Sequence, residues 1–199
     1  MKAFGFLSFG HYGHGRGPGD PDAGQALKDA VEIAVGADEI GVNGAYWRVH
    51  HYARQAAAPI PLLSAAGART KRIEVGTGVI DMRYENPLYL AEEVAALDLL
   101  TDQRIAIGIS RGSPEQARRG WETFGYTGGV DPRGVDVAHA HTAQFLDAVR
   151  GVPQADLDTS GGMAPGASSR LRIEPPAPGV ARRLWLGAGP PGTAEWTRR

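Results

Sequence analysis

Five residues in a row, Ile105-Ala106-Ile107-Gly108-Ile109, carry no polar side chain. A strand in a half-solvated sheet alternates apolar with polar residues. This one is therefore read as covered on both faces, the condition of a parallel sheet flanked by helices. The preceding stretch agrees. Asn86 can cap a helix, and Pro87 suits its first turn, where a missing N–H costs nothing. Leu90, Val94 and Leu97 form one apolar stripe with Ala91 and Ala95 beside it, and residues 101–104 end the helix. Ser110-Arg111-Gly112 follows the strand, at the end where α/β proteins place ligand chemistry. A cation anchored there suggests a bound anion, most simply a phosphate.

The same β-then-α alternation recurs along the chain. Further strands are expected at 3–9, 45–49, within 71–80 and at 183–186. Helices are expected at 20–35, with Leu27, Val31 and Ala34 facing inward, and at 61–68, 114–121 and 135–149. Thr193 opens a last helix. Five such units predict one α/β domain over residues 1–199, a parallel sheet with crossover helices. Glycine and proline, 28 and 14 residues in all, are enriched in two stretches, 10–19 and 152–178. The first reads as a mobile active-site or surface loop. The second reads as an irregular insert, either crossing the barrel mouth or disordered, with Leu171-Arg172-Ile173 as its one strand-like piece.

The 21 basic and 22 acidic side chains nearly cancel, so no nucleic-acid or membrane partner is indicated. There is no cysteine, which excludes disulfides and thiolate chemistry. With no signal-peptide pattern at the start, a cytoplasmic location is expected.

Chemistry should come from the C-terminal strand ends: Ser8, His50 and His51, Gly78 and Val79, Ser110 and Arg111, and residues 187–193. His50 and His51 are adjacent in extended chain, so their side chains diverge and cannot chelate one ion together. One of them facing the pocket could serve as base or acid near pH 7, or simply hydrogen-bond in the loop. Arg111 could hold an anion or pair with a surface carboxylate. His139 and His141 are two apart on a helix and are expected in solvent, while Tyr46, Trp47 and Tyr84 are expected in the core. Gly187-Ala188-Gly189-Pro190-Pro191-Gly192 matches G-x-G-x-x-G but lacks the acidic residue that a dinucleotide site needs. What it keeps is a glycine turn feeding a helix start, with Thr193 as the side-chain donor. No metal-ligand spacing is present.

At these residues the chain resembles the bacterial luciferase-like family of flavin-dependent monooxygenases. The matching stretches are Trp47-Arg48-Val49-His50-His51-Tyr52, Val75-Gly76-Thr77-Gly78-Val79, Asn86-Pro87 through Glu92-Glu93, Leu97-Asp98, Gly108 through Gly112, and Thr193-Ala194-Glu195-Trp196. The resemblance implies a TIM-barrel-like (β/α)8 fold, represented here by about five βα units and truncated on the C-terminal side. It implies reduced FMN, supplied by a separate flavin reductase, and O2 as co-substrate for oxidising an aldehyde or similar small organic molecule. His50 would be the catalytic histidine. Arg111 and Thr193 would hold the FMN phosphate, Ser110 would lie beside the isoalloxazine, and Gly78-Val79 would be a non-proline cis peptide. A homodimer is implied as well. Two further readings share the fold: a shortened, non-catalytic flavin-binding or interaction protein, and an oxidoreductase using the deazaflavin F420, which the paired histidines disfavour. The sequence departs from the family pattern at Val49, where a glutamate is usual, and at Pro190, where a serine is common.

Overall fold

The computed structural model describes residues 3–13, 19–112, 117–162 and 168–188. Its elements are β1 (Gly5–Ser8), α1 (Ala23–Glu39), β2 (Gly44–Trp47), α2 (Pro59–Arg69), β3 (Glu74–Asp81), α3 (Pro87–Leu100), β4 (Ile105–Ser110), α4 (Val135–Val149), β5 (Ala155–Asp156), β6 (Arg170–Leu171) and β7 (Leu184–Leu186). Five strands make one parallel sheet in the order β1-β2-β3-β4-β7, with Val75 opposite Ile105 and Ile107 opposite Leu184. This is the expected α/β architecture, five strands of a partial barrel.

Side-chain alternation sorts the sheet into two faces. Trp47, Val75, Ile105, Ile107 and Ile109 are buried in one core with Leu63, Leu90, Val94, Leu97 and Phe145 of the helices. Burying each large apolar side chain contributes about 1.5–3 kcal/mol, and Leu63→Ala would cost about 2–5 kcal/mol once the cavity is included. The opposite, inner face is poor in side chains. A Cβ on Gly76 would lie 2.8 Å from the Tyr46 ring, and one on Gly108 would lie 2.4 Å from the Trp185 ring, so these aromatics lie flat across the strands. Leu7 and Trp185 on this face remain exposed.

Local chemistry starts α3 where the sequence says it should, whereas α1 runs 23–39 and not the expected 20–35. The Asn86 side chain accepts hydrogen bonds from Leu88 N (3.0 Å) and Tyr89 N (3.1 Å), with Pro87 in the first turn of α3. Asp22 caps α1 through Gln25 N at 2.7 Å. Two buried carboxylates then fasten helices to strands. Asp38, at the end of α1, accepts from the backbone N–H of Lys71, Arg72 and Ile73 at 2.8–3.0 Å. Burial opposes its charge, but those three bonds hold the carboxyl below its usual range. Asp98 of α3 receives Arg183 Nε at 3.1 Å and Nη2 at 2.5 Å, which anchors the approach to β7.

Three local expectations change. Leu27 is 48% exposed: the inward arc of α1 is Ala26, Ala30, Ala34 and Ala37 with Val31, and Leu27 lies a step of about 100° round from Ala26. It faces a groove bounded by Tyr12, Ala57 and Pro61. The helix expected at 114–121 is replaced, within the described residues, by a 3-10 turn at Gly120–Phe124. Arg119 enters that turn at φ +50, a left-handed conformation that an α-helix cannot continue through. In 152–178, β5 pairs antiparallel with β6, and Ala177 is buried in the core.

Candidate active site

The strand ends meet around a buried ion pair that the sequence did not announce. Asp81 closes β3 in register with Ser110 of β4. Its carboxylate accepts from Arg83 N (3.0 Å), Arg83 Nε (2.9 Å) and Arg83 Nη2 (2.5 Å), and both side chains are buried. Arg83 also donates to Arg133 O at 3.1 Å and stands 4.6 Å over the Trp121 ring. Strand β3 is thereby tied to the excursion between β4 and α4. A buried pair of this kind tolerates no loss of one partner, because the remaining charge would be stranded.

On the β4 side, Gly112 lies against the pair at φ +87, where a Cβ would sit 1.9 Å from Asp81 Oδ2. Ser110 is buried, and its Oγ accepts from Gly112 N at 2.8 Å. Arg111 is half-buried between them. Its charge reaches His139 of α4, whose imidazole is held below its usual pKa first by burial and then by Arg111. Towards β3, the Gly78-Val79 peptide is cis, at the place the resemblance assigned. A Cβ on Gly187 would make ordinary contacts with Val79 Cγ1 (3.4 Å) and Ser110 Cβ (3.5 Å). Val79, Ser110 and Gly187 therefore border one small-residue surface at the end of β4, where Arg111 is the next residue in the chain. Thr193 lies outside the described residues.

The two histidines diverge as extended chain requires. His50 Nε2 lies 2.7 Å from Arg48 Nη2. Its pKa is lowered by burial first and then by Arg48 and Arg83, with Asp81 opposing. His51 instead stacks on Tyr84 at 4.3 Å and meets the Phe124 ring edge-on at 5.2 Å. Burial pushes its imidazole down as well. Its Nε2 is 3.9 Å from Glu85 Oε1 and makes no hydrogen bond among the described residues. Burial, then the charges of Glu93 and Asp81, push the Glu85 carboxyl up to about 7.

Sequence reasoning missed several of these groups. His139 and His141 are half-buried rather than solvated, since α4 packs over the β3–α3 connection, and His141 Nδ1 lies 2.8 Å from Met82 O. Trp47 and Tyr84 are in the core, but Tyr46 turns to the inner face, where its hydroxyl bonds Glu74. Burial and that carboxylate raise the phenol's pKa. Asp81, Arg83 and Glu85 carried no motif. The only available signal was three charged residues in the five positions after an apolar strand. Among the described residues no group of three or more His, Cys, Asp or Glu side chains could hold a metal ion, and no helix is long and apolar enough to cross a membrane.

A parallel βα sheet of this kind defines a partial α/β barrel, a fold whose ligand chemistry in general lies at the C-terminal strand ends, where this chain carries histidine, arginine and serine. The chain belongs to the luciferase-like monooxygenase family, whose profile matches residues 4–199. The 4-hydroxyprotoasukamycin monooxygenase of Streptomyces nodosus subsp. asukaensis is 32% identical over 109 residues, 54% of this chain and 29% of that protein. The F420-dependent glucose-6-phosphate dehydrogenase of Amycolatopsis mediterranei is 31% identical over 93 residues, 43% of this chain and 27% of that protein. Among solved structures, the oxygenating constituent of 3,6-diketocamphane monooxygenase from Pseudomonas putida, in complex with FMN, superposes with a TM-score of 0.69 at 18% identity. That match covers 92% of this chain and 50% of the other, and it shows the shared fold. The chain spans half or less of the length of each of these proteins.

Proposed function

We propose that this chain carries the flavin end of an FMN-dependent monooxygenase that uses reduced FMN and O2 to oxidise an aldehyde or similar small organic substrate. The observation that carries the reading is Arg111, half-buried beside Ser110 at the end of β4 and next to the surface bordered by Val79 and Gly187. A flat ring needs a floor without large side chains, and a phosphate needs a cation, and this corner offers both. Arg111, with Thr193, would hold the phosphate, Ser110 and the Gly78-Val79 backbone would border the ring, and His50 would stand at the reacting side. Bound reduced flavin supplies the electrons for O2 chemistry, while the protein orients it and excludes water. A separate flavin reductase, a cytoplasmic setting and a homodimeric state complete the proposal.

A second reading, an F420-dependent oxidoreductase, is favoured by the Amycolatopsis relative and opposed by the adjacent histidines. A third is a flavin-binding protein without turnover. Titration with FMN, riboflavin and F420, followed by flavin fluorescence, separates them. FMN should bind at least about tenfold more tightly than riboflavin, and Arg111→Ala should weaken FMN by about 1.5–3 kcal/mol. Equal affinity for FMN and riboflavin would overturn the phosphate site. Binding without product formation, in the presence of NADH and a reductase, would select the non-catalytic reading.

A further inference from the structure

Beyond β2 the chain stays extended, with Arg48 N donating to Ser8 O at 2.9 Å and His50 N to Ala56 O at 3.1 Å. Alternate residues therefore share a face. Ala45, Trp47 and Val49 are buried on the helix side, whereas Tyr46, Arg48 and His50 are half-buried on the other. Val49 thus cannot take part in supporting His50. The support comes from one residue earlier. Arg48 Nη2 reaches His50 Nε2 at 2.7 Å, and the guanidinium carbon stands 5.1 Å over the Phe9 ring. Phe9 in turn stacks on His11 at 5.4 Å, so Arg48 is held between a ring and a ring nitrogen.

A guanidinium has five donors and no acceptor. In the Arg48 contact, Nε2 must therefore offer its lone pair, and a neutral imidazole must then carry its proton on Nδ1. Protonating Nε2 would set N–H against N–H and place a second positive charge beside the first. Among the described residues, Asp81 favours the imidazolium, while Arg83 and His51 disfavour it and burial acts with them. A glutamate neighbour would do the reverse, stabilising the imidazolium.

We propose that Arg48 is the positioning residue for His50. It fixes the Nδ1–H tautomer and occupies the Nε2 lone pair, so His50 does not act as a general base through Nε2. The catalytic consequence rests on the monooxygenase reading above; the tautomer is a property of the chain itself.

The test is long-range 1H–15N correlation of the imidazole nitrogens in the full 199-residue chain labelled with 15N-histidine, from pH 5 to 9. His50→Gln identifies the resonance. Wild-type His50 should show the Nδ1–H pattern throughout the neutral range, with its midpoint below that of free imidazole. Arg48→Met should shift the population towards Nε2–H and raise the midpoint towards that of free imidazole, whereas Arg48→Lys should preserve both features. An Nε2–H pattern in the wild type would overturn the proposal by itself, even if Arg48→Met failed to fold. Unchanged tautomer and midpoint in Arg48→Met would overturn it too. FMN titration of the same samples is a separate readout: failure of the wild type to bind would refute the cofactor reading and leave the tautomer result standing.

Discussion

Glu85 stands between the end of β3 and the cap of α3, with its side chain 21% exposed. Burial first, and then Glu93 and Asp81, raise its pKa from 4.5 to about 7. The folded state therefore binds this proton more tightly than the unfolded chain. Stability from this group is fully present below pH 4.5, falls as pH rises from 4.5 to about 7, and is constant above. At 1.36 kcal/mol per unit, the loss amounts to about 3 kcal/mol. A glutamine side chain in its place would mimic the protonated acid at every pH. Glu85→Gln should thus match the wild type in urea unfolding at pH 4.5 and exceed it by about 3 kcal/mol at pH 8. Burial lowers the pKa of His51, so the stability due to its neutral form is lost as pH falls through 6.5; that contribution is common to both proteins and cancels in the difference. A difference independent of pH, or a glutamine variant less stable at pH 8, would refute the reasoning. The first result would mean that Glu85 holds its proton equally in the folded and unfolded chain, and the second that ionised Glu85 captures a proton on His51 as an ion pair across 3.9 Å.

Two further outcomes follow from the same rim. Gly112→Ala places a Cβ at φ +87 and 1.9 Å from Asp81 Oδ2, against a pair that cannot give way. It should cost about 3 kcal/mol or more in urea unfolding, and an effect below about 1 kcal/mol would show that the Asp81–Arg83 pair is not rigid. Among the described residues β1 and β7 are edge strands, and Leu7, Phe9 and Trp185 are exposed. Sedimentation of the chain at several concentrations should show self-association; a monomer at all concentrations that unfolds cooperatively at high temperature would contradict this.

What could be read along the chain was what depends on near neighbours. Asn86 and Pro87 start α3 because a cap needs only its own first turn. Residues Leu90, Ala91, Val94, Ala95 and Leu97 are buried because their spacing puts them on one side of any helix. The unbroken apolar run of β4 demands cover on both faces wherever the strand lies. Which strand end carries Arg111 follows from that run. The divergence of His50 and His51 follows from extended geometry alone, and the sequence determined it without any knowledge of the fold. The partners of these groups were a different matter. Arg48 reaches His50, Asp81 binds Arg83 under Gly112, and His51 faces Glu85, only because parallel pairing aligns β2, β3 and β4 at one rim. Leu27 turned outward and His141 turned to Met82 O for a similar reason: helix position, and not helix periodicity, decides what lies opposite a side chain. The charge state of Glu85 depends on burial and on two carboxylates, one of them supplied by α3. Caps, periodicity and strand burial are local properties, whereas tautomers, ion pairs and shifted pKa values arise from electrostatics among groups that only the tertiary structure brings together.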